Sequence, residues 1–370
     1  MKKGALILLF LLCILLANAQ KSSLSFGINI CGAEFGENNL PGILNKDYTY
    51  PTTQEIDYFF KKGFKVINLP FRWERIQHKL GGELETKEVE EIKKVLYFCA
   101  SRNMKVILSL HNFGRYKTGF AENIIGSPQV TREQYKDVWK KIATAFKSFN
   151  NIYGYNLMAE PHDMRGFDWF TTAQQAINGI RTVDKRTNII VEGENYSCSQ
   201  EWLQYNDNLR NLKDPYNKII YNAHCYFDDD HSGKYLKTFD ENKDAEYFGI
   251  HRVKPFADWL QKNNKKGMIG EFGVPAYDKK WFATMDKFLE YISNNKNIVL
   301  ANYWAAGTWW YDYKLSIEPT SFGSDKPQMK VLAKYIYGIS NTASSSSENQ
   351  NTVQQTGVAA KKTVAVAKLK

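Results

Sequence analysis

Absences narrow this chain before any motif does. Its longest apolar run, residues 5–16, falls short of the roughly 20 residues that cross a bilayer. Five cysteines are spread over 370 residues without the paired spacing of a zinc site, and none of the six histidines lies in an H-E-x-x-H pattern. No metal is expected. Neither G-x-G-x-x-G nor a P-loop follows any apolar stretch, so the common phosphate and dinucleotide sites are missing and no cofactor is expected. The net charge is +10, but lysines gather at the two ends: Lys2 and Lys3, then Lys361, Lys362, Lys368 and Lys370. About +5 is left between them, interleaved with acids in no basic stripe, which argues against a nucleic-acid partner.

The ends read differently from the middle. MKKGALILLFLLCILLANA has two lysines, a short greasy core and an A-x-A end, the three parts of a secretory signal peptide. Residues 1–19 are therefore expected to be cleaved, giving an exported protein (extracellular or periplasmic) with no stable membrane span. Residues 341–370 are rich in Ser, Thr, Gln, Asn and Lys and hold no aromatic residue. Such a segment cannot bury enough apolar surface to offset its conformational entropy, so a disordered tail is expected. One domain of about 320 residues, 20–340, remains. It holds Cys31, Cys99, Cys198 and Cys225. Export permits disulfides among them; Cys198 with Cys225 is the more plausible pair, and free buried thiols are equally open.

Eight apolar, β-branched runs follow one another: residues 25–30, 65–71, 104–110, 152–158, 188–193, 218–224, 268–273 and 298–304. Most are continuous rather than alternating, which suits strands covered on both faces. Helical patterns lie between them. Thr52 and Thr53 precede Glu55 and an apolar face of Ile56, Phe59 and Phe60 that Gly63 closes. Thr86 and Thr131 open two more, and others are expected near 168–183, 251–264, 280–294 and 327–337. The fifth connection, around 200–213, is the least regular.

Strand and helix repeated eight times can make an open doubly wound sheet or a closed barrel. His111, Glu160, His224, Glu271 and Trp304 all fall at or just past the C-terminal ends of strands. Only closure brings those ends into one ring, so the expected fold is α/β, a single (β/α)8 TIM barrel. Two glutamates meeting at one mouth suit glycoside chemistry, where one carboxylate attacks the anomeric carbon and another protonates the leaving oxygen.

Seven positions now stand in order: Arg72 in NLPFRWERI, His111 in ILSLHN, Glu160 in MAEPHD, His224 and Tyr226 in AHCYFD, Glu271 in GEFG, and Trp304 in NYWAAG. With these the chain resembles family 5 of the glycoside hydrolases over nearly all of residues 24–338. HCYFDDDHSG (224–233) and LSIEP (315–319) resemble its fungal-type endo-β-1,4-glucanase branch. The resemblance implies a retaining enzyme with Glu271 as nucleophile and Glu160 as acid/base. It further implies that His224 contacts the acid/base, Tyr226 hydrogen-bonds the nucleophile, His111 binds the sugar and Trp304 floors it. Arg72 is expected near Glu271, favouring its ionised form.

One position departs. The family pattern has Asn immediately before the acid/base, where this chain has Ala159. Asn112, Asn156, Asn195 or a water are the candidates to replace it. Trp73, Trp169, Trp202, Trp309, Trp310 and Tyr116 are expected in loops at the barrel mouth, about half of them as ordinary packing. The expected function is an exported, monomeric endo-β-1,4-glucanase acting on β-glucan by double displacement. The alternatives are another β-glycan hydrolase or transglycosylase (mannan, xyloglucan, exopolysaccharide) and a glycan-binding barrel without activity.

Overall fold

In the computed structural model, which describes residues 24–119 and 121–338, eight parallel strands close into a barrel. The strands are β1 (Ser25–Ile30), β2 (Val66–Phe71), β3 (Lys105–Leu110), β6 (Ile152–Asn156), β7 (Asn188–Glu192), β8 (Ile219–His224), β9 (Lys266–Phe272) and β10 (Ile298–Ala306). They pair in chain order, and β10 returns to β1, so no edge is left open. Each expected run becomes one of these strands, with ends moved by a few residues. The leader and the tail lie outside the described residues, as does Cys13.

The helices between strands begin where the sequence signals begin. α1 (Thr53–Lys61) opens on a capping box, with Thr52 accepting from the Glu55 amide while the Glu55 carboxylate accepts from the Thr52 amide. Thr131 and Gln134 make the same box at α4 (Arg132–Phe146). Thr86 is the first residue of α3 (Thr86–Ser101), which follows the short α2 (Trp73–Ile76). Asp168 caps α5 (Trp169–Arg181) through the Thr171 amide. The irregular fifth connection is a single turn, α6 (Trp202–Asn206), running into a 3₁₀ turn over Asp207–Asn211. α7 (Phe248–Lys262), α8 (Trp281–Ser293) and α9 (Met329–Ile336) complete the ring. The sequence reading missed the short α2 and, beyond β3, an antiparallel hairpin of β4 (Arg115–Thr118) and β5 (Ala121–Ile124). Its strands are four residues each and largely polar, so they carry no apolar periodicity to read.

The barrel interior is layered. At the bottom, Val66, Ile107, Ile190, Ile220, Met268 and Leu300, one from each of six strands, form a separate apolar plug. Two residues further along, the same strands present Asn68, Ser109, Glu192, Asn222, Gly270 and Asn302, because residues i and i+2 share a face. Large residues on the outer faces, such as Tyr155, Tyr221 and Phe272, pack instead in the shell between strands and helices. An apolar plug capped by a polar layer leaves the mouth of the barrel as the place for chemistry.

Four of the six aromatics assigned to the mouth are buried packing. Trp202 stands against Phe256 and Trp259, and Trp73 against Tyr116 and Tyr135. Trp169 is buried and donates its indole N–H to the Glu192 carbonyl. Cys198 and Cys225 are not joined, since all four described cysteines are free. The Cys225 thiol turns toward the Gly249 carbonyl and the Cys198 sulfur lies 3.5 Å from His231 Nδ1.

Candidate active site

Glu271 reaches the mouth because of a register shift. Met268 and Gly270 face the barrel axis, so strict alternation would turn Phe272 inward and Glu271 out. Pairing with β8 runs from Ala223–Ile269 directly to His224–Glu271, leaving Gly270 as an extra residue. That bulge reverses the phase, sending Glu271 into the site and Phe272 against Phe288 and Tyr303 outside it. The Tyr226 hydroxyl donates to Glu271 Oε2 at 2.6 Å. Burial foremost, and then the Glu271 charge, holds the Tyr226 phenol well above its usual pKa, so it keeps the proton it donates.

Glu160 arrives by another route. It lies past the end of β6 with φ of 47°, a left-handed backbone that a non-glycine residue rarely adopts. The Glu192 carboxylate helps hold that turn by accepting the Glu160 amide at 2.8 Å. His224 joins the two glutamates, its Nδ1 lying 2.8 Å from Glu160 Oε1 and 3.5 Å from Glu271 Oε2. An oxygen of Glu160 and an oxygen of Glu271 are thereby brought within 4.8 Å of each other.

Glu192, at the end of β7, is the residue the sequence reading overlooked. Its Oε1 accepts from the Asn156 and Asn222 side-chain amides at 2.7 and 2.9 Å. Its Oε2 takes the Glu160 amide and lies 3.2 Å from His224 Nε2. A carboxylate already taking three N–H donors acts there as an acceptor, which assigns the Nε2 proton to the imidazole. The Nδ1 side of the ring is left to share a proton with Glu160. A signal was present in the sequence: NIIVEG ends an apolar strand in glutamate, as Glu160 and Glu271 do.

Three carboxylates around one imidazole set the electrostatics. Burial by itself would lower the His224 pKa, but the charges of Glu192 and Glu271 and the bonds to Glu160 and Glu192 push it well above its usual value. For Glu271, burial is the largest influence and raises the carboxyl; Glu160 and Glu192 add to this while His224 and Tyr226 oppose it, leaving it near 8. The cluster therefore holds a proton beyond the imidazolium at neutral pH, and that proton belongs to the coupled group rather than to one residue.

The expected partner of Glu271, Arg72, is engaged elsewhere. Its Nε donates to the Glu34 carbonyl at 2.9 Å and its NH2 pairs with Glu37 at 2.8 Å. His111 stacks on Trp304 at 6.0 Å and 16° and meets Phe113 edge-on. Burial, aided by the Arg72 and His224 charges, drives its pKa well down, so the ring is neutral. Trp304 also meets Trp310 edge-on, and Trp310 stacks on Tyr313 at 4.2 Å, extending an aromatic wall on the Glu271 side. On the Glu160 side lies a cavity of about 570 Å³ lined by Tyr196, Cys198, His224, Tyr226, His231 and Lys234 among others. At its lip Tyr196 stacks on His162 at 4.0 Å.

Position 159 stays without an amide. Ala159 is buried; Asn112 is tied to Glu74 and the Trp73 amide, and Asn195 to Glu201. Asn156 donates to Ser109 and Glu192. Glu160, His224 and Glu271 form the one group with metal-ligand proximity among the described residues. Ligands about 2.0–2.2 Å from a tetrahedral ion lie about 3.3 Å apart or more, so the 2.8 Å His224–Glu160 separation fits a hydrogen bond better than a shared ion.

The arrangement has known counterparts. A protein-family model described as cellulase (glycosyl hydrolase family 5) matches residues 26–309. The chain is 35% identical to endo-beta-1,4-glucanase B of Emericella nidulans over 313 residues, 84% of this chain and 91% of that protein. It is 33% identical to a probable endo-beta-1,4-glucanase B of Aspergillus oryzae, covering 84% and 90%. Among solved structures it is similar to Pseudomonas stutzeri endoglucanase Cel5A in complex with cellobiose, with TM-score 0.79, 40% identity and coverage of 85% and 92%. An endo-beta-1,4-glucanase of Xanthomonas axonopodis pv. citri superposes with TM-score 0.78 at 32% identity, covering 85% and 98%.

Proposed function

The chain belongs to the cellulase family, glycosyl hydrolase family 5, and from that premise we propose that it cleaves internal β-1,4 bonds of a glucan by double displacement. In the first half-reaction Glu271 attacks the anomeric carbon and forms a glycosyl ester. The bond to the leaving sugar breaks, and its oxygen takes a proton from Glu160. In the second, Glu160 accepts a proton from water as that water attacks the anomeric carbon, and Glu271 leaves as the carboxylate.

The observation behind this assignment is the approach of Glu160 and Glu271 to within 4.8 Å, close to the roughly 5–5.5 Å spacing of retaining enzymes. Tyr226 stabilises the departing Glu271 carboxylate by its hydrogen bond, and His224 links the acid to Glu192. The sugar before the scissile bond rests on Trp304, whose apolar face suits the C–H face of a pyranose. Neutral His111 beside it exchanges hydrogen bonds with sugar hydroxyls. The leaving portion of the glucan lies on the Glu160 side, in the cavity that Tyr196 lines, with His162 stacked on the Tyr196 ring. Exported and monomeric, the enzyme needs only its polymer and water. No helix among the described residues is long and apolar enough to cross a membrane.

Release of reducing ends from carboxymethylcellulose, glucomannan and xyloglucan tests the substrate. Cleavage of carboxymethylcellulose, with oligosaccharides of mixed length appearing early, supports an internal glucanase. Cleavage of glucomannan or xyloglucan alone moves the specificity to that polymer. Binding without release from any of the three would make the barrel a glycan-binding protein.

A further inference from the structure

A small cavity of about 10 Å³ lies on the barrel axis between the apolar plug and the catalytic pair. Ile107, Ile190 and Met268 form its floor, Asn156, Asn222 and Asn302 its waist, and His111, Ala159 and Glu271 its roof. The waist residues are 1–3% exposed, and the Oδ1 atoms of all three are buried with no hydrogen-bond partner. His111 Nδ1, in the roof, is in the same condition. The amide orientations are not arbitrary, because Asn156 and Asn222 must turn their N–H groups to the Glu192 carboxylate. Two glycines accommodate the waist. A Cβ on Gly270 would come within 2.3 Å of Asn222 Oδ1, and one on Gly27 within 2.1 Å of Asn302 Oδ1.

Several buried acceptors around one small space need a donor, since an unpaired buried polar atom costs about 1–3 kcal/mol. A water requires about 10–15 Å³ and two to four polar partners, and this cavity offers one such place. We infer that the floor beneath Glu160 and Glu271 binds one ordered water, which donates to two of the three asparagine oxygens and, beside Ala159 where no amide stands, accepts from the hydroxyl next to the reacting carbon. The second part rests on the proposed glycosidase reading; the first does not. A water can turn to suit its partner, whereas a fixed amide cannot, so recognition at that hydroxyl is tolerant.

High-resolution crystal structures of the wild type and Ala159→Asn, with kinetics on aryl β-cellobioside and its 2-deoxy analogue, test both parts. The wild type is expected to show one density peak within about 3.2 Å of at least two of the three asparagine oxygens. In Ala159→Asn the peak is displaced and the kcat/KM penalty for the 2-deoxy substrate grows at least about tenfold, because a buried amide then loses its partner. A dry cavity in the wild type overturns the water, whether or not the variant folds. A displaced peak with an unchanged penalty overturns its role in recognition. Inactivity of the wild type on every β-glycan would overturn the reaction instead, while the density still decides the water.

Discussion

Glu160 and Glu271 meet the same histidine, yet almost everything else about them differs. Glu271 lies within a strand, its side chain 7% exposed, fixed by a bulge and by Tyr226. Glu160 sits on a left-handed turn past its strand, 20% exposed, at the edge of the large cavity. A nucleophile must be held to one trajectory and kept from water until it has reacted. An acid/base must exchange its proton with water once each cycle. The contrast in burial matches that division of labour, and it comes from local backbone rather than from the side chains, which are identical.

Substituting each carboxylate sharpens the contrast most. Glu271→Gln should lower kcat more than about 10⁴-fold on every substrate, with cellooligosaccharide binding retained, since the attacking carboxylate is gone. Glu160→Ala should lose about 10²–10⁴-fold on glucan but much less on an aryl glycoside whose leaving group needs no proton. Azide should restore its rate by entering where the residue stood, giving a β-glycosyl azide. Equal losses on both substrates would erase the distinction between the two residues.

A smaller effect is expected at Glu192. Glu192→Gln removes a negative charge from beside His224, so the imidazolium gives up its proton at lower pH. The alkaline limb of the kcat/KM profile should then move down by about 1–3 pH units, a change that a merely structural defect would not produce. Tyr226→Phe removes one hydrogen bond to a charged group. Its loss should be about 10–10²-fold and should fall mainly on the second step, so that glycosyl-enzyme accumulates.

The last effect is on stability. Burial, with the Glu160 and Glu192 charges, raises the Glu271 carboxyl from 4.5 to about 8 within the coupled cluster, so the cluster binds more protons in the native protein than in the unfolded chain between those values. Its contribution is fully present below pH 4.5 and is lost as the pH rises through 8. Glu271→Gln, neutral throughout, should therefore melt a few degrees higher than the wild type at pH 8–9 and gain nothing near pH 4. Thermal unfolding at the two pH values checks this.

The sequence disclosed the fold through features that are local and repeated. Capping boxes at Thr52 and Thr131 and continuous apolar runs need no knowledge of distant residues. It marked Glu160, His224, Tyr226 and Glu271 as candidates because each stands at or beside a strand end in a recognisable order, and the barrel gathers the four side chains. Glu192 escaped notice, since its worth lies in partners on β6 and β8 that only closure of the barrel supplies. Arg72 was paired with the wrong carboxylate for the same reason: Glu37 comes from the loop after β1. Trp73, Trp169 and Trp202 could not be told from mouth residues beforehand, because an indole carries no mark of which way it faces; all three are buried. Inward or outward direction was also hidden at Glu271, where one extra residue reverses the alternation.

Covalent trapping tests the assignment most directly. Incubation with a 2-deoxy-2-fluoro cellobioside bearing a good leaving group should build up a stable glycosyl-enzyme, and peptide mass spectrometry should place the added mass on Glu271. A label on Glu160, on Glu192 or on no carboxylate at all would contradict the division between a buried attacker and a cavity-facing acid.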